Sequence, residues 1–153
     1  MKRMFMAALC AGALLAPRTM AAGETPQERT LQSWLDAYDR TFTSKDVEGL
    51  HGFYAPNATV IEEGTVSRGW VEYRDGHLLP ELRRLQAPVL FHVHFEARSL
   101  DKAEDTVLLI AEYRLRAEVA GRLTDTRVLE TLVVVKYEAG AWKILHAHRS
   151  PES

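Results

Sequence analysis

Apolar residues recur with two different periods along this chain, and the change from one period to the other predicts its architecture. Leu31, Trp34, Leu35, Tyr38 and Phe42 fall at i, i+3, i+4, i+7 and i+11, one stripe of an amphipathic helix. "TPQE" just before it is a capping box with proline at the first helical position. A short second helix is predicted over residues 46–54, and "ATVIEEG" reads as a short strand ending at Gly64. Residues 70–85 are helical in pattern, but Gly76 and Pro80 interrupt them, so a kink or two short helices is expected. Beyond Pro88 the period drops to two. Strands are predicted over 89–100, 106–119 and 123–137, with "WKILHAHRS" as a fourth. The breaks "DKAED", "AG" and "EAG" are turn-like, so neighbouring strands should pair antiparallel. Helices followed by a strand meander predict an α+β fold, in which a curved sheet wraps the N-terminal helices around a hollow.

The first residues follow another logic. "MKRMFMAALCAGALLAPRTMAA" has a basic start, a short apolar run and small residues at the end, the pattern of a cleaved secretory signal. Arg18 cuts the apolar run well below the ~20 residues that a membrane span needs. The expected division is a signal over residues 1–21 and one domain over 22–153, periplasmic or secreted, with no membrane association after cleavage. Loss of Lys2, Arg3 and Arg18 would move the formal charge from −2 to −5, which disfavours nucleic acid as a partner. Cys10, the single cysteine, would leave with the signal, so the domain can have no disulfide and no thiolate chemistry.

Strand alternation sorts the later residues into faces. Strict alternation puts Trp142, Ile144, His146 and His148 on one face of the last strand, with Lys143, Leu145, Ala147 and Arg149 opposite. Leu108, Ile110, Glu112 and Arg114 likewise share a face, as do Val128, Glu130, Leu132 and Val134. A face that starts apolar and ends in Glu112, Arg114, His146 and His148 reads as a pocket with a greasy floor and a polar mouth. An internal Glu–Arg–His network explains the same residues without a ligand. The other face, also apolar, fits a homodimer through the outer side of the sheet. The pairs His92/His94, continued by Glu96, and His146/His148 have metal-ligand spacing, but each alone is half a site, so neither a metal nor another cofactor is expected.

The stretches "SKDVEGLHGFYAPNATV", "RGWVEYRDGHLLPEL", "AEYRL" and "WKILHAHRS", in that order, resemble the nuclear transport factor 2-like superfamily. Its members include SnoaL-like polyketide cyclases, ketosteroid isomerases and the CaM kinase II association domain. "EYRL", "ETL" and the ending W-x-I-x-H-x-H-x-S look closest to the SnoaL-like group related to that association domain. The resemblance covers about residues 25–150 and implies a cone-shaped, cystatin-like α+β fold. Aligned on "SKDVEG", the isomerases' oxyanion tyrosine falls on Tyr38 and their proton-moving carboxylate on Glu62, next to Glu63. Their second oxyanion acid meets only valine and leucine here. The association domain's first pocket arginine falls on Arg114, its second on or near Leu132. The resemblance also implies that the first and last meander strands are not neighbours.

Three functional expectations follow. The first is a binder of a small, partly apolar molecule with an anionic or carbonyl group. Trp34, Tyr38 and Tyr54 would form its aromatic wall, Arg114 would hold the anion, and Glu62, Glu112, Glu130, His146 and His148 would be its polar groups. The second is an isomerase- or cyclase-like enzyme, with Glu62 as base and Tyr38, His146 or His148 assisting. The third is a dimerisation or assembly module without catalysis.

Overall fold

The computed structural model describes residues 25–137 and 140–151. The expected signal, residues 1–21, lies outside them. Helix α1, Pro26–Thr43, opens with the predicted box: Thr25 accepts from the Glu28 N–H at 3.2 Å, and Glu28 accepts from the Thr25 N–H at 2.6 Å. It buries Leu31, Leu35, Tyr38, Phe42 and also Asp39. Asp46 caps the short helix α2, Val47–His51, through the Gly49 N–H at 2.9 Å. Strand β1, Tyr54–Glu62, turns at Glu63 and Gly64, both with positive φ (49° and 76°), into β2, Thr65–Arg68. This two-residue turn matches the natural twist of a hairpin. Gly69 then leads into the next helix at φ 85°, and an added Cβ there would stand 3.1 Å from the Pro56 carbonyl.

The expected interruption of residues 70–85 takes a specific form. Helix α3, Trp70–Tyr73, widens into a π-helical turn, Arg74–Leu78, before α4, Leu79–Arg84. Pro80 has no N–H to offer the preceding turn and its ring crowds the carbonyl four residues back. The chain responds with a bond one residue longer, from the Leu79 N–H to the Arg74 carbonyl.

The meander follows as β3 (Gln86–Ser99), β4 (Thr106–Val119), β5 (Arg122–Lys136) and β6 (Trp142–Pro151). Ala120 and Gly121, at φ 50° and 77°, form the predicted "AG" turn between β4 and β5. The sheet order is β2-β1-β6-β5-β4-β3, with β1 parallel to β6 and the other pairs antiparallel. The fold is therefore α+β, a curved and unclosed six-stranded sheet carrying N-terminal helices, and β3 and β6 stand apart as expected.

The sheet has several register shifts, and two one-residue insertions among them decide which side chains enter the interior. In β6, Val134 pairs with Ile144 but Val133 pairs with His146, so Leu145 is a bulge. In β3, His92 pairs with Tyr113 but His94 with Glu112, so Val93 is a second bulge. Each bulge inverts which residues face the core from that point on. Ile144, Ala147 and Arg149 are consequently buried together, while His148 is exposed.

Candidate functional site

Arg149 is the centre of the interior, 4% exposed. Its Nε donates to Glu130 Oε2 at 3.0 Å. Nη1 donates to the Tyr73 hydroxyl at 2.8 Å and, more weakly, to Glu62 Oε2 at 3.4 Å. Nη2 donates to the hydroxyls of Tyr38 (3.2 Å) and Tyr54 (3.1 Å), which themselves lie 2.9 Å apart. A buried guanidinium with this many acceptors is matched, not available.

The chain of contacts continues through Glu130 to His92. His92 Nε2 stands 2.7 Å from Glu130 Oε1, and Nδ1 stands 2.6 Å from Asp39 Oδ1. The His92 N–H donates to the other Asp39 oxygen at 2.8 Å. Burial by itself would discharge this imidazole, but the two carboxylates outweigh burial and raise its pKa from 6.5 to about 9. His92 is thus an imidazolium at neutral pH. Burial would likewise raise Glu130, yet His92 and Arg149 hold it below the ordinary carboxylate value.

This network fills most of the hollow expected beneath α1. The space among Trp34, Leu35, Ile144 and Arg149 has no room for a water molecule. A slot of ≈ 10 Å³ lies beside Arg149, between Phe42, Leu90 and Tyr113. Beyond it, a recess of ≈ 210 Å³ opens to solvent. Leu85, Leu115, Val119 and Val128 give it apolar walls, and Thr124 and Thr126 a polar rim. Glu62, Glu81 and Tyr113 line both the slot and the recess.

Those shared residues carry the site's chemistry. Tyr113 is 6% exposed, and its hydroxyl has no hydrogen-bond partner among the described residues. His77, in the π turn, contacts Glu62 Oε2 through Nε2 at 3.3 Å, and its ring stacks on Tyr73 at 5.8 Å and 14°. Burial pushes Glu62 up, but Arg149 and His77 together bring it below the usual carboxylate range. Glu81 makes no side-chain hydrogen bond among the described residues, and burial followed by repulsion from Glu62 raises it.

Several sequence expectations are corrected here. Arg114 lies on the outer face, paired with Asp125 at 2.9 Å, because β4 turns Tyr113 and Leu115 inward. Glu112 shares that outer face and pairs with Arg127 at 2.7 Å. His146 and His148 also face outward, since the Leu145 bulge reverses the alternation that grouped them with Trp142 and Ile144. The Val93 bulge separates His92, inside, from His94 and Glu96, outside. Tyr38 and Tyr54 are inside but hold Arg149, and Trp34 donates from Nε1 to the Trp142 carbonyl at 3.0 Å. Glu130 and Glu62 are inside as expected. Arg149, Asp39, Tyr113, His77 and Glu81 are not among the residues the sequence singles out, and His92 acts as the partner of Asp39 and Glu130 rather than as one of a histidine pair. "HLLPEL", with a proline between a histidine and a glutamate four residues apart, was the one local signal for His77 and Glu81.

The family model of the SnoaL-like domain matches residues 31–152. The chain belongs to the SnoaL-like domain family. The computed structure is similar to the S. rosetta CaMKII hub, with a TM-score of 0.67 and 22% identity over 85% of this chain and 99% of that one. A nuclear transport factor 2-like superfamily protein from Salmonella enterica gives a TM-score of 0.71 at 14% identity, over 82% and 90%. A candidate ketosteroid isomerase from Shewanella frigidimarina gives 0.65 at 23% identity, over 77% and 92%. No curated protein matches by sequence. At these identities the solved structures share the fold with this SnoaL-like chain, and the fold alone hosts many functions.

Proposed function

We propose that this SnoaL-like domain binds a small, partly apolar molecule through a carbonyl group seated on Tyr113 at the floor of the recess. The observation that carries the reading is Tyr113, a side chain only 6% exposed that lines the recess among apolar walls and whose hydroxyl has no partner among the described residues. A hydroxyl in that position binds an acceptor with less desolvation than almost any exposed group could. An anion is disfavoured, because Glu62, Glu63 and Glu81 border the recess against Arg84 alone, and Arg149 is already engaged. The modest volume favours a molecule smaller than a typical drug-sized ligand, whose pockets run to ~300 Å³ or more. The test is a thermal-shift screen of small cyclic ketones against the matched carboxylic acids, followed by Tyr113→Phe. Ketones should stabilise the protein and the variant should lose that stabilisation while melting normally. Preferential stabilisation by the acids, or an unchanged ketone response in the variant, would refute the reading.

A second reading, proton transfer next to that carbonyl, is favoured by the placement of the Glu62 and Glu81 carboxyls at the same floor. Exchange of ketone α-hydrogens for deuterium, catalysed by the protein and lost in Glu62→Gln, would support it; no exchange above buffer removes it. We also infer a homodimer through the outer sheet face. Ile110 and Leu129 stand there 42% and 50% exposed, and the S. rosetta neighbour is a hub domain. Leu129→Asp should convert the dimer to a monomer in sedimentation, and a monomeric wild type would end that inference. Export by residues 1–21 is a further part of the proposal, checked by N-terminal sequencing of the protein recovered outside the cytoplasm.

A further inference from the structure

We propose that Glu62, His77 and Glu81 form a site for one divalent first-row cation of the zinc class, open to the recess. One ligand atom from each of the three side chains lies within 4.8 Å of the other two. Bonds of ~2.0–2.2 Å to such a cation place two donors up to ~4 Å apart, so side-chain movement of under about 1 Å closes the site. The three residues come from separate elements. Glu62 ends β1, His77 sits in the π turn, and Glu81 follows one helical turn later in α4. Residues four apart share a helix face, and the wide turn enforced by Pro80 aims that face at the end of β1. Stacking on Tyr73 fixes the plane of the His77 ring.

The donor set selects the ion. One imidazole nitrogen with two carboxylates suits zinc and its transition-metal neighbours, whereas magnesium and calcium favour oxygen donors throughout. Three protein ligands beside an open recess leave coordination positions for water or a substrate oxygen. Of the two carboxylates that meet here, Glu62 is matched by His77 and Arg149 and Glu81 is not. The Glu81 side chain has no hydrogen bond among the described residues, and Glu62 meets His77 and Arg149 through Oε2, its Oε1 accepting no hydrogen bond among the described residues. Arg149 approaches Glu62 at only 3.4 Å and has a closer counter-charge in Glu130 at 3.0 Å. Tyr113, 6% exposed and without a hydrogen-bond partner among the described residues, lines the same recess as Glu62 and Glu81, and its hydroxyl suits hydrogen bonding to a cation-bound water. The inference goes beyond the carbonyl reading and does not depend on it.

The experiment is a titration of tag-free protein with Co²⁺, read by its visible absorption and without any organic ligand. One equivalent should give a saturating band that Zn²⁺ abolishes and the same concentration of Mg²⁺ does not. His77→Asn and Glu81→Gln should each weaken binding by at least ~10-fold, since even outer partners of metal ligands matter by ~10–100-fold. The double variant His146→Ala, His148→Ala should bind as the wild type does. Both ligand variants are close in shape to the natural residues, and circular dichroism with a urea midpoint confirms that they are folded. No band at one equivalent, wild-type affinity in His77→Asn or Glu81→Gln, or loss of the band in the His146/His148 variant would overturn the site. Because no ketone is present, that failure is distinct from failure of the carbonyl reading.

Discussion

Raising the pH should destabilise this protein through His92, well before its tyrosines or lysines titrate. In the folded state both ring nitrogens face carboxylates at 2.6 and 2.7 Å, and the pKa rises from 6.5 to about 9. A group raised in the folded state contributes stability that is complete below its unfolded pKa and is lost as pH climbs through its folded one. The window therefore runs from about pH 6.5 to about pH 9. At ~1.4 kcal/mol for each tenfold change in the protonation equilibrium, the His92 proton contributes on the order of 3 kcal/mol. Its side chain is only 2% exposed, so solvent screening removes little of this. The assay is urea denaturation at intervals from pH 6 to 9.5, for the wild type and for His92→Gln. Wild-type stability should fall across the window. His77 is raised as well, by its bond to Glu62, so the difference between the two proteins isolates His92. A flat wild-type profile, or an equal slope in His92→Gln, would refute the reasoning.

Arg149→Leu should destabilise the fold by ~3–5 kcal/mol, because Glu130 stays buried without its guanidinium and three tyrosine hydroxyls lose their donor; urea midpoints check it. Arg114→Ala should leave the melting temperature and the thermal response to ketones unchanged, since its partner Asp125 keeps Arg116 at 2.9 Å. A response that disappears with Arg114 would return the binding site to the outer face. Gly69→Ala should cost ~1–3 kcal/mol in chemical denaturation, as φ 85° is strained for alanine and its Cβ would press on the Pro56 carbonyl.

The chain's local patterns were sufficient for its elements. The Thr25–Glu28 box, the stripe from Leu31 to Phe42 and the "AG" turn each depend on neighbours a few residues away, and each appears as expected. The face of β5 bearing Glu130 and Leu132 followed from alternation for the same reason: nothing interrupts its pairing with β4. The interior of β6 did not follow, because a bulge is a decision made between strands. Leu145 is inserted where β6 meets both β1 and β5, and that single extra residue turns Arg149 inward and His148 outward. No sequence period marks it. The filled core depended on the same event, since only an inward Arg149 can gather Glu130, Glu62 and three tyrosines from four other elements. The sequence by itself thus determined helices, strands and turns, which short-range sterics and hydrophobic period control. Tertiary structure decided which charges meet in the core and at the recess, because burial makes an unmatched charge costly and the partners lie tens of residues apart.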